Sequence, residues 1–221
     1  VLAASIASAQ EHNPGQALTA GSGIHAEART EKGRPFSAIV VTRTEQTFFD
    51  GTHVNRTTTT FEYRDFDGRV RTETALPNGG IANIVIRDPV AGVLYRIDPA
   101  AKSVVKERLS PAVAGGFHET GVGHSGYHSN EMVEDLGSSN INGINVHGTR
   151  VTIIVPVGAI GNDREFRSSY EHWFSPEMNM IVKSISIDPR FGATTYEMTN
   201  IKREPPAPAL FQPPSNYTEV R

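Results

Sequence analysis

The chain has 221 residues, a net charge of −3 and no cysteine. That length allows one large domain or two small ones. Lack of cysteine excludes disulfides, thiol catalysis, thiolate metal sites, c-type haem attachment and cysteine lipidation within these residues, and no basic block offers a nucleic-acid-binding face.

Val1-Leu2-Ala3-Ala4-Ser5-Ile6-Ala7-Ser8-Ala9-Gln10 is an apolar run closed by Ala-Ser-Ala. It reads as a signal remnant, as a helix, or as a donor strand. In strand donation an extended peptide adds to a sheet edge, and alternate side chains fill pockets. Val1, Leu2 and Ile6 are then the subunit contacts, and copies of the chain join head-to-tail into a filament. Residues 11–34 are polar and Gly-containing, and read as a linker.

From residue 35 to residue 203 the pattern is all-β. Phe36 to Phe49 is a strand ended by Asp50-Gly51, a strong hairpin signal. Thr52 to Phe66 follows and turns at Asp67-Gly68 into Arg69 to Ala75. Further strands are expected at 81–87, 93–97, 103–108 and 132–136. Asn142-Gly143 is a second hairpin signal, between a strand and the runs 144–147 and 150–155. Three runs then follow at 166–175, 180–187 and 193–203, separated by Ser175-Pro176-Glu177-Met178-Asn179 and Asp188-Pro189-Arg190-Phe191-Gly192. Proline presets φ in such turns, and Gly or Asn can take positive φ. The expectation is a single antiparallel meander of about ten to eleven strands, curved or closed part-way into an open half-barrel. No βαβ alternation is present. Residues 204–221 are Pro-rich, and Leu210, Phe211 and Tyr217 predict an extended strap against the body.

The ending of the chain carries a resemblance. It reads Tyr196-x-x-Thr199-Asn200-Ile201, then Pro205, then Ala209-Leu210-Phe211, then Pro213 or Pro214 and Tyr217. Together with Asp88-Pro89-Val90-Ala91-Gly92, Gly158-Ala159-Ile160-Gly161-Asn162-Asp163-Arg164 and Trp173-Phe174-Ser175-Pro176, it resembles secreted β-proteins of acidobacterial type, a group without an established activity. More distantly it is similar to the LolA and LolB lipoprotein carriers, whose curved half-barrel holds acyl chains. That likeness implies an envelope carrier or sensor with an apolar ligand in the concave face. The chain departs from it in lacking a long amphipathic helix within residues 1–34.

Candidate chemistry is sparse. His118, His124 and His128 share a Gly-rich loop, but His-x5-His-x3-His matches no standard structural metal site. Gly123-His124-Ser125-Gly126-Tyr127 lacks the second glycine of a nucleophile elbow. Asp163, Glu165 and Glu171 could pair as carboxylates, yet Arg164 and Arg167 beside them point to ordinary ion pairs. No catalytic residue and no cofactor is assigned. The leading expectation is a non-catalytic secreted or cell-surface subunit that assembles with copies of itself. The alternative is a periplasmic carrier whose cavity is walled by Phe61, Tyr63, Tyr170, Trp173, Ile185 and Tyr196.

Overall fold

A computed structural model describes residues 31–109 and 130–220. The segments 1–10 and 117–130, which carry the donor-strand expectation and the histidine loop, fall outside them except for strand residue Asn130. The described strands are β1 (Phe36–Thr47), β2 (His53–Arg64), β3 (Val70–Ala75), β4 (Ile81–Asp88), β5 (Val93–Asp98), β6 (Ser103–Arg108), β7 (Asn130–Ile141), β8 (Ile144–Val155), β9 (Phe166–Ser175), β10 (Met180–Asp188), β11 (Gly192–Lys202) and β12 (Thr218–Val220). They form one curved, unclosed sheet in the order β12-β6-β5-β4-β3-β2-β1-β11-β10-β9-β8-β7.

The expected all-β fold of one curved, open sheet is what the described residues form, and only the strand order departs from a single meander. The sheet is two meanders, β1–β6 and β7–β11, joined where β1 pairs with β11. Consecutive strands β6 and β7 therefore lie far apart in the sheet. The strand count is twelve, and β12 pairs parallel to β6. The predicted break between residues 147 and 150 is absent, because Gly148 and Thr149 stay in the ladder and β8 runs unbroken.

One turn design recurs. At Phe48–Thr52, Asp65–Arg69, Leu76–Gly80 and Gly158–Asn162, the first residue's N–H donates to the carbonyl of the fifth, and the fourth residue's N–H donates to the carbonyl of the first. The fourth residue is Gly51, Gly68, Gly79 or Gly161, each at positive φ. A side chain is strained there, so glycine sets where the chain reverses. At Asn142-Gly143 both residues have positive φ, as a two-residue hairpin of this hand requires.

The two faces of the sheet differ. On β1, Phe36, Ala38 and Val40 are buried and Thr42, Thr44 and Gln46 are half-buried, whereas Arg43, Glu45 and Thr47 on the other face are exposed. The even-numbered face is the inner one. Its upper half holds the first core, where Phe36, Ala38, Val40 and Met198 pack with Ile144, Val146, Met178, Met180 and Val182. The sheet curls to achieve this. The β7–β8 turn reaches β11, where Asn142 Nδ2 donates to the Met198 carbonyl at 2.7 Å. The β9–β10 turn folds over β2, where Arg64 Nη2 donates to the Met178 carbonyl at 2.9 Å.

The second core lies on the outer face of β3–β6. Ile84, Ile86, Ile97 and Val104 pack there against Phe211 of a 3₁₀ turn (Pro208–Phe211). Leu210 and Tyr217 flank it. Arg71 fastens this strap by donating to the Leu210 carbonyl at 2.8 Å while pairing with Glu73.

Candidate functional site

Below the first core the inner face continues without apolar filling. Register defines two rows of side chains across six strands. One is Thr58, Thr42, Tyr196, Ser184, His172 and Thr149; the next is Arg56, Thr44, Thr194, Ser186, Tyr170 and Val151. Thr58, Thr42, Tyr196, Ser184, His172, Tyr170 and Val151 are all half-buried. Tyr196, the member of these rows next to the first core, packs against that core. The floor is therefore a field of hydroxyls with two tyrosine rings and one imidazole. Tyr170 and His172 stack at 5.5 Å between ring centroids. A recess of about 170 Å³ opens at the lower end, lined by Ile153, Val155, Ser168, Tyr170, Ser186 and Arg190.

Charge enters at the boundary between core and floor. Glu62 pairs across the ladder with Ala38 and Thr72 and is half-buried. Burial pushes its carboxyl up to about 7, against the pull of Arg64 and Arg87. Burial likewise raises the Tyr196 phenol well above its usual range, and the Glu62 charge adds to that. Arg64 is fully buried, its guanidinium 4.8 Å above the Phe36 ring. Its Nε donates to the Arg34 carbonyl at 2.8 Å, and burial draws its pKa down to about 10.

The six residues expected to line one cavity are divided by register. Tyr170 and Tyr196 lie on the inner floor. Phe61 and Tyr63 lie on the outer face beside Ser37 and Ile39, in a groove of about 480 Å³ that Ile201 and Lys202 complete. Ile185 is also outer, level with Thr195 and Glu171. Trp173 packs against the first core. A bulge causes this last placement. Above Val182, Met180 meets Ser175; below it, Ser184 meets His172 and Ser186 meets Tyr170. One extra residue in β10 exchanges the face that β9 presents. Trp173 thus lies over Gly148, where an added Cβ would come within 2.6 Å of the ring. Sequence reading missed Glu62, Thr42 and Ser184. The alternation of β1 placed Thr42 in line with Val40, but nothing in the sequence marked that face as the concave one.

The remaining candidates resolve simply. Glu171 accepts from Trp173 Nε1 at 2.7 Å and from Arg150 Nη2 at 2.7 Å. Glu165 pairs with Arg167 at 3.7 Å. Among the described residues no group of three His, Cys, Asp or Glu side chains could hold a metal ion, and no helix is long and apolar enough to cross a membrane.

Comparison with known proteins finds no matching family model and no matching curated protein. The resemblance to secreted acidobacterial-type proteins gains no support from it. Solved structures do match over most of the chain. A chain of the MucA/MucB complex of Pseudomonas aeruginosa superposes with a TM-score of 0.47 at 15% identity, covering 86% of this chain and 59% of that one. An uncharacterized conserved protein of Thermus thermophilus gives 0.45 at 10% identity, covering 85% and 90%. A LolA superfamily protein of Nitrosomonas europaea gives 0.38 at 8% identity, covering 85% and 94%. This chain therefore spans less than two thirds of the chain it matches in the MucA/MucB complex. Likeness at this level carries no functional argument.

Proposed function

We propose that the protein is a non-catalytic binding protein of the cell envelope, a carrier or sensor that takes an amphiphilic ligand on the inner face of its sheet. The observation that carries this reading is the polar make-up of the inner face below the first core among the described residues. A core fills its space with apolar side chains, whereas this concave floor offers hydroxyl groups with tyrosine faces and, at the β8 side, Val151 and Ile153. Such a surface suits a molecule with an apolar body and groups that accept or donate hydrogen bonds. A purely hydrocarbon ligand would leave Thr42, Thr58 and Ser186 without partners, at a cost of roughly 1–3 kcal/mol for each group fully desolvated.

The filament reading rests on Val1, Leu2 and Ile6, which lie outside the described residues, and no described feature speaks for it. The carrier reading is tested by blocking the floor. Thr42→Trp places a large side chain on the inner face, and Arg43→Trp places one on the outer face of the same strand. Binding of a fluorescent fatty acid, and of lipid retained from expression and detected by mass spectrometry, is expected to fall with Thr42→Trp and to persist with Arg43→Trp. Absence of amphiphile binding by the unaltered protein, or equal binding by both folded variants, overturns the reading.

A further inference from the structure

Large hydrophobic side chains that stand in solvent are gathered at one end of the sheet. That end comprises the β1–β2, β3–β4, β5–β6, β8–β9 and β10–β11 turns and the start of β7. Phe48 and Phe49 occupy the first turn, Leu76 the second, Val157 and Ile160 the third, and Phe191 the fourth; all are exposed. At the opposite end Phe66 and Val90 are their counterparts among the described residues. The β1–β2 hairpin also projects. Its ladder runs from Phe36–Arg64 to Thr47–His53, but β3 pairs with β2 only from Thr60 onward, and β11 pairs with β1 only as far as Glu45. The last part of the hairpin is thus a two-stranded ribbon carrying Phe48 and Phe49 at its tip, and Phe49 is fully exposed. Part of the tip's backbone is bonded within the turn. Phe48 N–H donates to the Thr52 carbonyl, Gly51 N–H to the Phe48 carbonyl, and Thr52 N–H to Asp50 Oδ1.

We infer that this rim docks on a lipid surface, with the Phe48–Phe49 tip entering the interfacial layer. Three features select lipid over a protein partner. The apolar residues sit on separate chain reversals rather than on one continuous patch, so a fluid surface can meet each of them. The ribbon tip bonds part of its backbone within the turn, which lessens the cost of leaving water. Among the described residues the charges at this end nearly balance: Arg43 and Arg56 against Glu45 and Asp50 on the ribbon, Lys102 against Asp98 at β5–β6, Arg164 and Arg167 against Asp163 and Glu165 at β8–β9, and Arg190 against Asp188 at β10–β11, with Glu131 at the start of β7 adding one negative charge. A rim of so little net charge suits zwitterionic headgroups and binds through apolar insertion rather than counterion release. The inference stands apart from the ligand on the inner floor, since none of the apolar side chains it rests on belongs to that floor.

The test is co-sedimentation of the full chain with phosphatidylcholine vesicles. The unaltered protein is expected to bind, equally at low and high salt. The double change Phe48→Ser, Phe49→Ser should weaken binding by about tenfold or more, while Phe66→Ser with Val90→Ser leaves it unchanged. All four sites are exposed, so folding should survive, and Thr42→Trp should not alter vesicle binding. In a second measurement, Phe49→Trp should be quenched by lipids brominated near the headgroup end of the acyl chain. Failure of the unaltered protein to bind vesicles, abolition of binding by salt, undiminished binding by the double variant, or an unquenched Trp at position 49 each overturns the inference; the first outcome would leave the rim to a protein partner.

Discussion

Glu62→Gln tests whether burial raises this carboxyl in the folded chain. The carboxyl stands at about 7 in the folded chain, against an ordinary 4.5. A folded-state value above the unfolded one means the folded chain binds the proton more tightly. Stability is then greatest below pH 4.5 and falls as pH rises toward and past 7. At about 1.4 kcal/mol per pH unit the gap corresponds to about 3 kcal/mol. Glu62 retains some solvent access, which reduces this to about 2 kcal/mol. Glutamine keeps the shape of the protonated acid and cannot ionise. It also withdraws a negative charge that favours the Arg64 cation, so part of the gain is lost. Urea unfolding of both proteins at pH 5 and pH 8 measures the effect. Near pH 5 they should be almost equally stable, and near pH 8 the variant should lead by about 1–2 kcal/mol. A difference that is the same at both pH values refutes the reasoning, because Glu62 would then titrate alike in the folded and unfolded chains.

Further expectations concern the scaffold. Gly148→Ala should cost about 1–3 kcal/mol, since its Cβ would strike the Trp173 ring; in a Trp173→Leu background the same change should cost much less, which a double-mutant cycle by chemical denaturation measures. Gly192→Ala should be more damaging still, because φ is +90 and the new Cβ would fall 2.0 Å from the Glu45 carbonyl oxygen; loss of soluble folded protein is the readout. Phe211→Ala should cost about 3–5 kcal/mol and should open the strap to proteolysis after Lys202, Arg203 or Glu204 while β1 and β2 stay protected.

Much of the fold was legible because strand sequences declare themselves locally. Alternation in β1, β10 and β11, Asp-Gly at 50–51 and 67–68, and Asn-Gly at 142–143 each act over a few residues. Such signals identify hairpins and give the side chains of a strand alternate directions. They do not choose between distant partners. Nothing near Phe36 or Lys202 announces that β1 and β11 are neighbours. That pairing arises from the burial of Val40 against Met198, residues far apart in the chain. The site suffered from the same limit. Phe61, Tyr63, Ile185 and Trp173 attracted notice as aromatic or apolar strand residues, and residue type does not say toward which face of a curled sheet a side chain points.

By itself, then, the amino-acid order determined that this is a β-protein of many hairpins, where its glycines force the turns, and that no thiol chemistry is open to it. Tertiary structure decided which strands meet and which face is enclosed. It also turned β9 over at Val182, giving Trp173 to the core and Tyr170 to the floor. The physical reason is range. Backbone sterics and side-chain alternation act within a few residues, whereas curvature, desolvation of Glu62 and the gathering of Phe48, Val157 and Phe191 at one rim exist only once distant strands have paired.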